Sequence, residues 1–85
     1  MKYKYKNSGT CSQSVAFDLT GGIVSGVQFT GGCDGNLKAI GRLVEGKRAD
    51  EIVTLLKGNT CGYKKTSCAD QLAKALERAI TEQGQ

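Results

Sequence analysis

Residues 14–30 read SVAFDLTGGIVSGVQFT, and this stretch decides the fold class. Val15, Phe17 and Leu19 alternate with Ser14, Ala16 and Asp18, the period of two expected of a half-buried strand. Thr20-Gly21-Gly22 is turn chemistry, and beyond it Ile23, Val27 and Phe29 define the apolar face of a returning strand, with Ser25 between them on the same side. The segment Ser14–Thr30 is therefore a β-hairpin. Upstream, Tyr3 and Tyr5 alternate with Lys2, Lys4 and Lys6, which adds a short strand with one aromatic face. A lysine-rich strand also protects the edge of a sheet from unwanted pairing.

The period changes after Cys33. Leu37, Ile40, Leu43 and Val44 follow helical spacing, started by Asp34 or Gly35 and stopped by Gly46. Ala49, Ile52, Val53 and Leu56 form a second apolar stripe, with Asp50 and Glu51 in its first turn and Gly58 at its end. Leu72, Ala73, Leu76, Ala79 and Ile80 form a third and longer one, which Ser67 and Asp70 open as a capping box. Strands first and helices after predict an α+β fold: a three-stranded antiparallel sheet followed by three helices packed on one of its faces. No repeat or linker interrupts the pattern, so residues 1–85 read as a single domain, with Glu82–Gln85 expected to fray.

Composition narrows the chemistry. The 85 residues contain no histidine, which excludes Ser-His-Asp and Cys-His catalysis and every His-containing metal site. The opening MKYKYKNSG has no apolar core of a signal peptide, and no apolar run approaches the roughly 18 residues of a membrane span. The expectation is a cytoplasmic protein without membrane contact, in a compartment where thiols stay reduced. A net charge of +4 is enough to keep such a domain soluble. The glycine-rich turns do not continue into a phosphate-binding loop or a dinucleotide fingerprint.

Four cysteines in so short a chain need a reason. Cys11 immediately precedes the hairpin and Cys33 follows it, so an antiparallel pairing makes them neighbours. Cys61 lies in the loop before the third helix, and Cys68 lies at that helix's start. A helix N-terminus favours thiolate, the form that binds metal, and both Cys33 and Cys68 occupy such positions. None of the four falls on an apolar stripe, where a cysteine would read as a small buried hydrophobe. Four thiolates without histidine suit tetrahedral Zn²⁺ or a cysteine-ligated iron–sulfur cluster, and two disulfides in any of three pairings are the other solution. The candidate metal ligands are thus Cys11, Cys33, Cys61 and Cys68.

The run Cys61-Gly62-Tyr63-Lys64-Lys65-Thr66-Ser67-Cys68-Ala69-Asp70-Gln71-Leu72, together with Gly31-Gly32-Cys33-Asp34-Gly35-Asn36-Leu37, resembles the signature of the TSCPD domain family. Ala69 stands where the family's name has proline. The family occurs as small four-cysteine proteins and as a C-terminal, non-catalytic domain of some ribonucleotide reductases. The resemblance implies an accessory or interaction module linked to ribonucleotide reductase and acting through a protein partner. It does not imply catalysis by this chain alone, because 85 residues cannot house that enzyme's barrel and radical site.

More distantly, the order of elements is similar to that of the IscU/NifU iron–sulfur scaffolds, with Cys11, Cys33 and Cys68 at the places of that scaffold's three cysteines. Gln13 replaces its aspartate, its chaperone motif is absent, and Cys61 would close the site. This favours zinc over a cluster carrier, with a cluster scaffold or a dithiol redox module serving a reductase as alternatives. Tyr63, Lys64 and Lys65 would project from the cysteine-bearing loop toward a partner. Lys38 and Arg42, at i,i+4 on one helix face, read first as a solvated face, with a basic rim beside Lys64 and Lys65 as the alternative. Tyr3 and Tyr5 with their interleaved lysines are a weaker signal, for nucleic acid.

Overall fold

The computed structural model describes residues 1–7, 12–32, 34–59 and 66–83. The elements run β1 (Lys2–Lys6), β2 (Ser12–Thr20), β3 (Ile23–Gly31), α1 (Asp34–Val44), α2 (Ala49–Leu56) and α3 (Cys68–Glu82). The strands form one antiparallel sheet in the order β1-β2-β3. This is the α+β arrangement of three strands followed by three helices that the periodicity predicts.

Val15, Phe17 and Leu19 of β2 point to one face, where Leu72, Ala75, Leu76 and Ala79 of α3 meet them together with Ala49 and Ile52 of α2. Burying a leucine such as Leu72 or Leu76 completely stabilises the fold by about 1.5–3 kcal/mol. On the opposite face of β1, Lys2, Lys4 and Lys6 are exposed. Tyr3 and Tyr5 pack inward against Phe17, with ring centroids 5.8 Å and 6.2 Å from it. The tyrosines and lysines of β1 therefore face opposite ways.

Two expectations of core membership fail, for one local reason each. In β3 the buried residue is Val24, at 0% exposure, whereas Ile23 is 40% exposed. The cause is a bulge: Ala16 pairs with Gln28 but Asp18 pairs with Ser25, so Gly26 and Val27 together face Phe17. Gly26 takes φ +61, which a side chain would resist, and the inward phase shifts by one residue across it. Unbroken alternation could not show this. In α1, Leu43 is 69% exposed although it fits the helical stripe, because α1 lies along β3 and has only that side to bury. The approach is close: a Cβ on Gly41 would stand 3.1 Å from the Val27 carbonyl oxygen.

The link between α1 and α2 covers the edge of β3. Val24 N–H donates to the Lys47 carbonyl (2.9 Å), Gly46 N–H to the Val24 carbonyl (2.8 Å) and Ala49 N–H to the Gly22 carbonyl (2.8 Å). Helix α2 thus begins beside the hairpin turn. Helix α3 ends there too, since Gln83 Nε2–H donates to the Leu19 carbonyl at 2.9 Å. The side chain of Gln83 is therefore tied down, in contrast to the fraying expected from Glu82 onward. Gly84 and Gln85 lie outside the described residues.

Candidate metal centre

Cys68 is the first residue of α3, half-buried, where free backbone N–H groups and the positive end of the helix favour a thiolate. With 15 residues at 1.5 Å each, the helix carries Cys68 about 22 Å from its other end at the hairpin turn. The opposite end of the hairpin is where Ser12 pairs with Gly31. Ser12 follows Cys11, and Gly31 precedes Cys33 by two residues. The residues flanking two of the cysteines are thus direct partners across β2 and β3.

The start of α3 is organised by a buried polar cluster. Ser67 caps the helix in an extended conformation (φ −148, ψ 171), and its Oγ accepts a hydrogen bond from Asp70 N–H at 3.1 Å. That half of the capping box is present. The Asp70 carboxylate, 1% exposed, does not reach back to complete the box. It accepts from Gly58 N–H at 2.7 Å, from the Thr66 hydroxyl, and from the Lys74 ammonium at 3.3 Å. Ser67 Oγ also donates to the Asn59 carbonyl, and Gln71 Nε2–H donates to Thr66 Oγ1 at 3.0 Å. Burial pushes the Asp70 carboxyl up, but the Thr66 hydroxyl, the Gly58 N–H and Lys74 together outweigh it and hold the group below the usual carboxylate range.

Of the predicted metal ligands only Cys68 is described. Cys11, Cys33 and Cys61, and with them Tyr63, Lys64 and Lys65, lie outside the described residues. Among the described residues no group of three or more His, Cys, Asp or Glu side chains is placed to hold a metal ion. Lys38 and Arg42 line an open groove between α1 and β3. Glu45, on the same wall, accepts from Gly26 N–H at 2.9 Å. Sequence reasoning missed Gly58, Asn59 and Thr66. Gly58 was read only as a helix stop and Thr66 only as part of the family signature.

Fold and cysteines together define a small α+β domain with a cysteine at the start of its last helix and no helix, among the described residues, long and apolar enough to cross a membrane. The model of the TSCPD domain matches residues 1–80, and the chain belongs to the TSCPD domain family. Searches of curated proteins and of solved structures returned no match, so the likeness to the IscU/NifU scaffolds gains no support from them.

Proposed function

We propose that this domain is a Cys₄ metal module, zinc in preference to an iron–sulfur cluster, held by Cys11, Cys33, Cys61 and Cys68. The observation that carries the reading is the hairpin register: Ser12 opposite Gly31 puts the residue after Cys11 beside the one two positions before Cys33. Helix α3 adds support, because Cys68 opens it at the end remote from the hairpin turn. The donor chemistry fits: the chain has four thiols and no histidine, and the carboxylate nearest in sequence to Cys68 is already committed to Gly58, Thr66 and Lys74. Zinc in such a site supplies a cross-link between loops, and its binding free energy, about 10 kcal/mol or more in small zinc peptides, acts as folding free energy.

Family membership supports a role as a cytoplasmic accessory to a ribonucleotide reductase, a closed thiolate site being structural rather than reactive. Tyr63, Lys64 and Lys65 are the residues of choice for contact with an acidic protein surface. Metal analysis of anaerobically purified protein tests the centre. One zinc per chain in a colourless solution, lost on Cys33→Ser, is the expected result. A brown solution would mean a cluster carrier, and metal-free protein with reducible disulfides a dithiol redox module. Tyr63→Ala combined with charge reversal at Lys64 and Lys65 should abolish capture of a reductase and leave metal content unchanged.

A further inference from the structure

We propose that residues 27–31 of β3, with the wall of α1 beside them, bind an extended acidic segment of a partner protein, which joins the sheet as a fourth strand. The inference goes beyond the Cys₄ reading and does not depend on it. The register identifies the open backbone groups. Leu19 N–H donates to the Met1 carbonyl, on the β1 side, while Val24 opposite it turns both its backbone groups outward to Lys47 and Gly46. The bulge adds its extra residue to β3 and not to β2, so Val15, four residues before Leu19, also turns its groups to β1. Phe29 pairs with Val15 and therefore turns its N–H and C=O outward, as Val24 does. Among the described residues no backbone group meets them there.

The other sheet edges are guarded. Lys2, Lys4 and Lys6 protect β1, the link from α1 to α2 covers Val24, and Glu45 takes the Gly26 N–H. Residues 27–31 read VQFTG, with neither charge nor proline. An edge left bare beside three guarded ones is a template for an added strand.

A groove of about 560 Å³ runs along this stretch, within the range of about 300–1,000 Å³ usual for binding clefts. Its floor is apolar, formed by the half-buried Val27 and Phe29 and by the buried Leu37. Helix α1 runs antiparallel to β3, since Gly41 meets Val27 and Glu45 meets Gly26. On its rim stands Arg42, exposed and in no ion pair among the described residues, with Lys38 one turn earlier. An added strand thus meets an apolar floor and a basic rim on its α1 side, which suits a segment that mixes apolar residues with carboxylates. A second copy of the chain fits poorly: its own residues 27–31 carry no carboxylate, and its Arg42 would approach this one. Residues 8–11, 33, 60–65 and 84–85 contain no Asp or Glu either, so the acidic occupant is a different protein.

The test titrates the ¹⁵N-labelled full-length protein with a blocked eight-residue peptide of alternating valine and glutamate pairs, which presents both residue types on either face. Saturable binding with a Kd below about 1 mM and slower hydrogen exchange at the Phe29 amide are the expected results. Arg42→Gln, an exposed change that circular dichroism should show to be folded, should weaken binding about fivefold, the factor equivalent to an ion pair of about 1 kcal/mol. The peptide with glutamine in place of glutamate should bind more weakly still, and the fully N-methylated peptide, which cannot donate to the Phe29 carbonyl, should not bind. No saturation by about 1 mM, an unchanged Phe29 exchange rate, or equal binding of the glutamine or N-methylated peptide would each overturn the proposal. So would binding to Arg42→Gln within about twofold of wild type, since a lost ion pair predicts about fivefold. Phe29 protection that grows with protein concentration in the absence of peptide would overturn it as well, by making a second copy of the chain the occupant.

Discussion

The two ends of α3 are secured by different kinds of contact. At the N-terminal end, Thr66, Ser67 and Asp70 are buried, and their polar atoms meet Gly58 and Asn59 at short range. At the C-terminal end the partners are larger and looser. Tyr3 and Tyr5 stack with ring centroids 6.1 Å apart, the Arg78 guanidinium lies 4.8 Å over the Tyr5 ring, and the Tyr5 hydroxyl donates to Glu82 at 3.0 Å on the surface. Directional bonds between buried polar groups admit one arrangement, since any group left unpaired costs about 1–3 kcal/mol. Aromatic and cationic contacts lose little when the rings slide by half an ångström. The helix is thus located by several buried polar bonds at its cysteine end, and at the other by the single Gln83 bond to Leu19 together with contacts that tolerate sliding.

The comparison is broken most completely in the middle. Leu76 is fully buried between the two ends, and Leu76→Ala should destabilise the domain by about 2–5 kcal/mol in urea unfolding. Both ends should then lose amide protection together, and loss at only one would show that they unfold independently. Next in size is Asp70→Ala, which leaves the Gly58 N–H and the Thr66 hydroxyl without their acceptor. About 1–3 kcal/mol should be lost. Hydrogen exchange at Gly58 should accelerate while the near-ultraviolet dichroism of Tyr3 and Tyr5 stays as it was.

The smallest effect belongs to the aromatic end. Burial, then the hydrogen bond and the charge of Glu82, push the Tyr5 phenol up to about 12, against an opposing effect of Arg78. The folded chain holds that proton more tightly than the unfolded chain, whose phenol has the ordinary value of 10.0. Its contribution to stability is therefore complete below pH 10.0 and is lost as the pH rises toward about 12. Tyr5→Phe should flatten this part of the stability–pH curve, and an unchanged slope would remove the phenol as its cause. Arg78→Ala should cost no more than about 1 kcal/mol.

Strands β1 and β2 and helices α2 and α3 were legible because each buries one clean face, and period-2 or period-3.6 spacing records a face directly. Ile23 was misread because a bulge changes the phase of alternation without changing composition. Leu43 was misread because a stripe predicts a helix's shape and not how much of it finds a neighbour. At the candidate centre, Cys68 and the Ser67 cap could be read from local sequence alone. The attachment of Asp70 to Gly58 could not, because spacing within a helix says nothing about an acceptor bonded to a residue 12 positions earlier.

The bulge at Gly26 also bears on how the hairpin finds its register. A ladder growing outward from Gly21 and Gly22 meets a choice at Gly26: to skip a residue, as the native pairing does, or to continue in step. Continuing in step would turn Val27 and Phe29 to the lysine side of the sheet, since a slip of one residue exchanges the faces. The native choice is secured by Glu45, from beyond α1, whose carboxylate accepts the Gly26 N–H that the bulge turns outward. Fidelity of strand pairing in the first third of the chain is therefore underwritten by a residue synthesised later. A nascent or truncated chain ending before Glu45 would lack this contact and would rely on the burial of Val27 and Phe29 to choose the register.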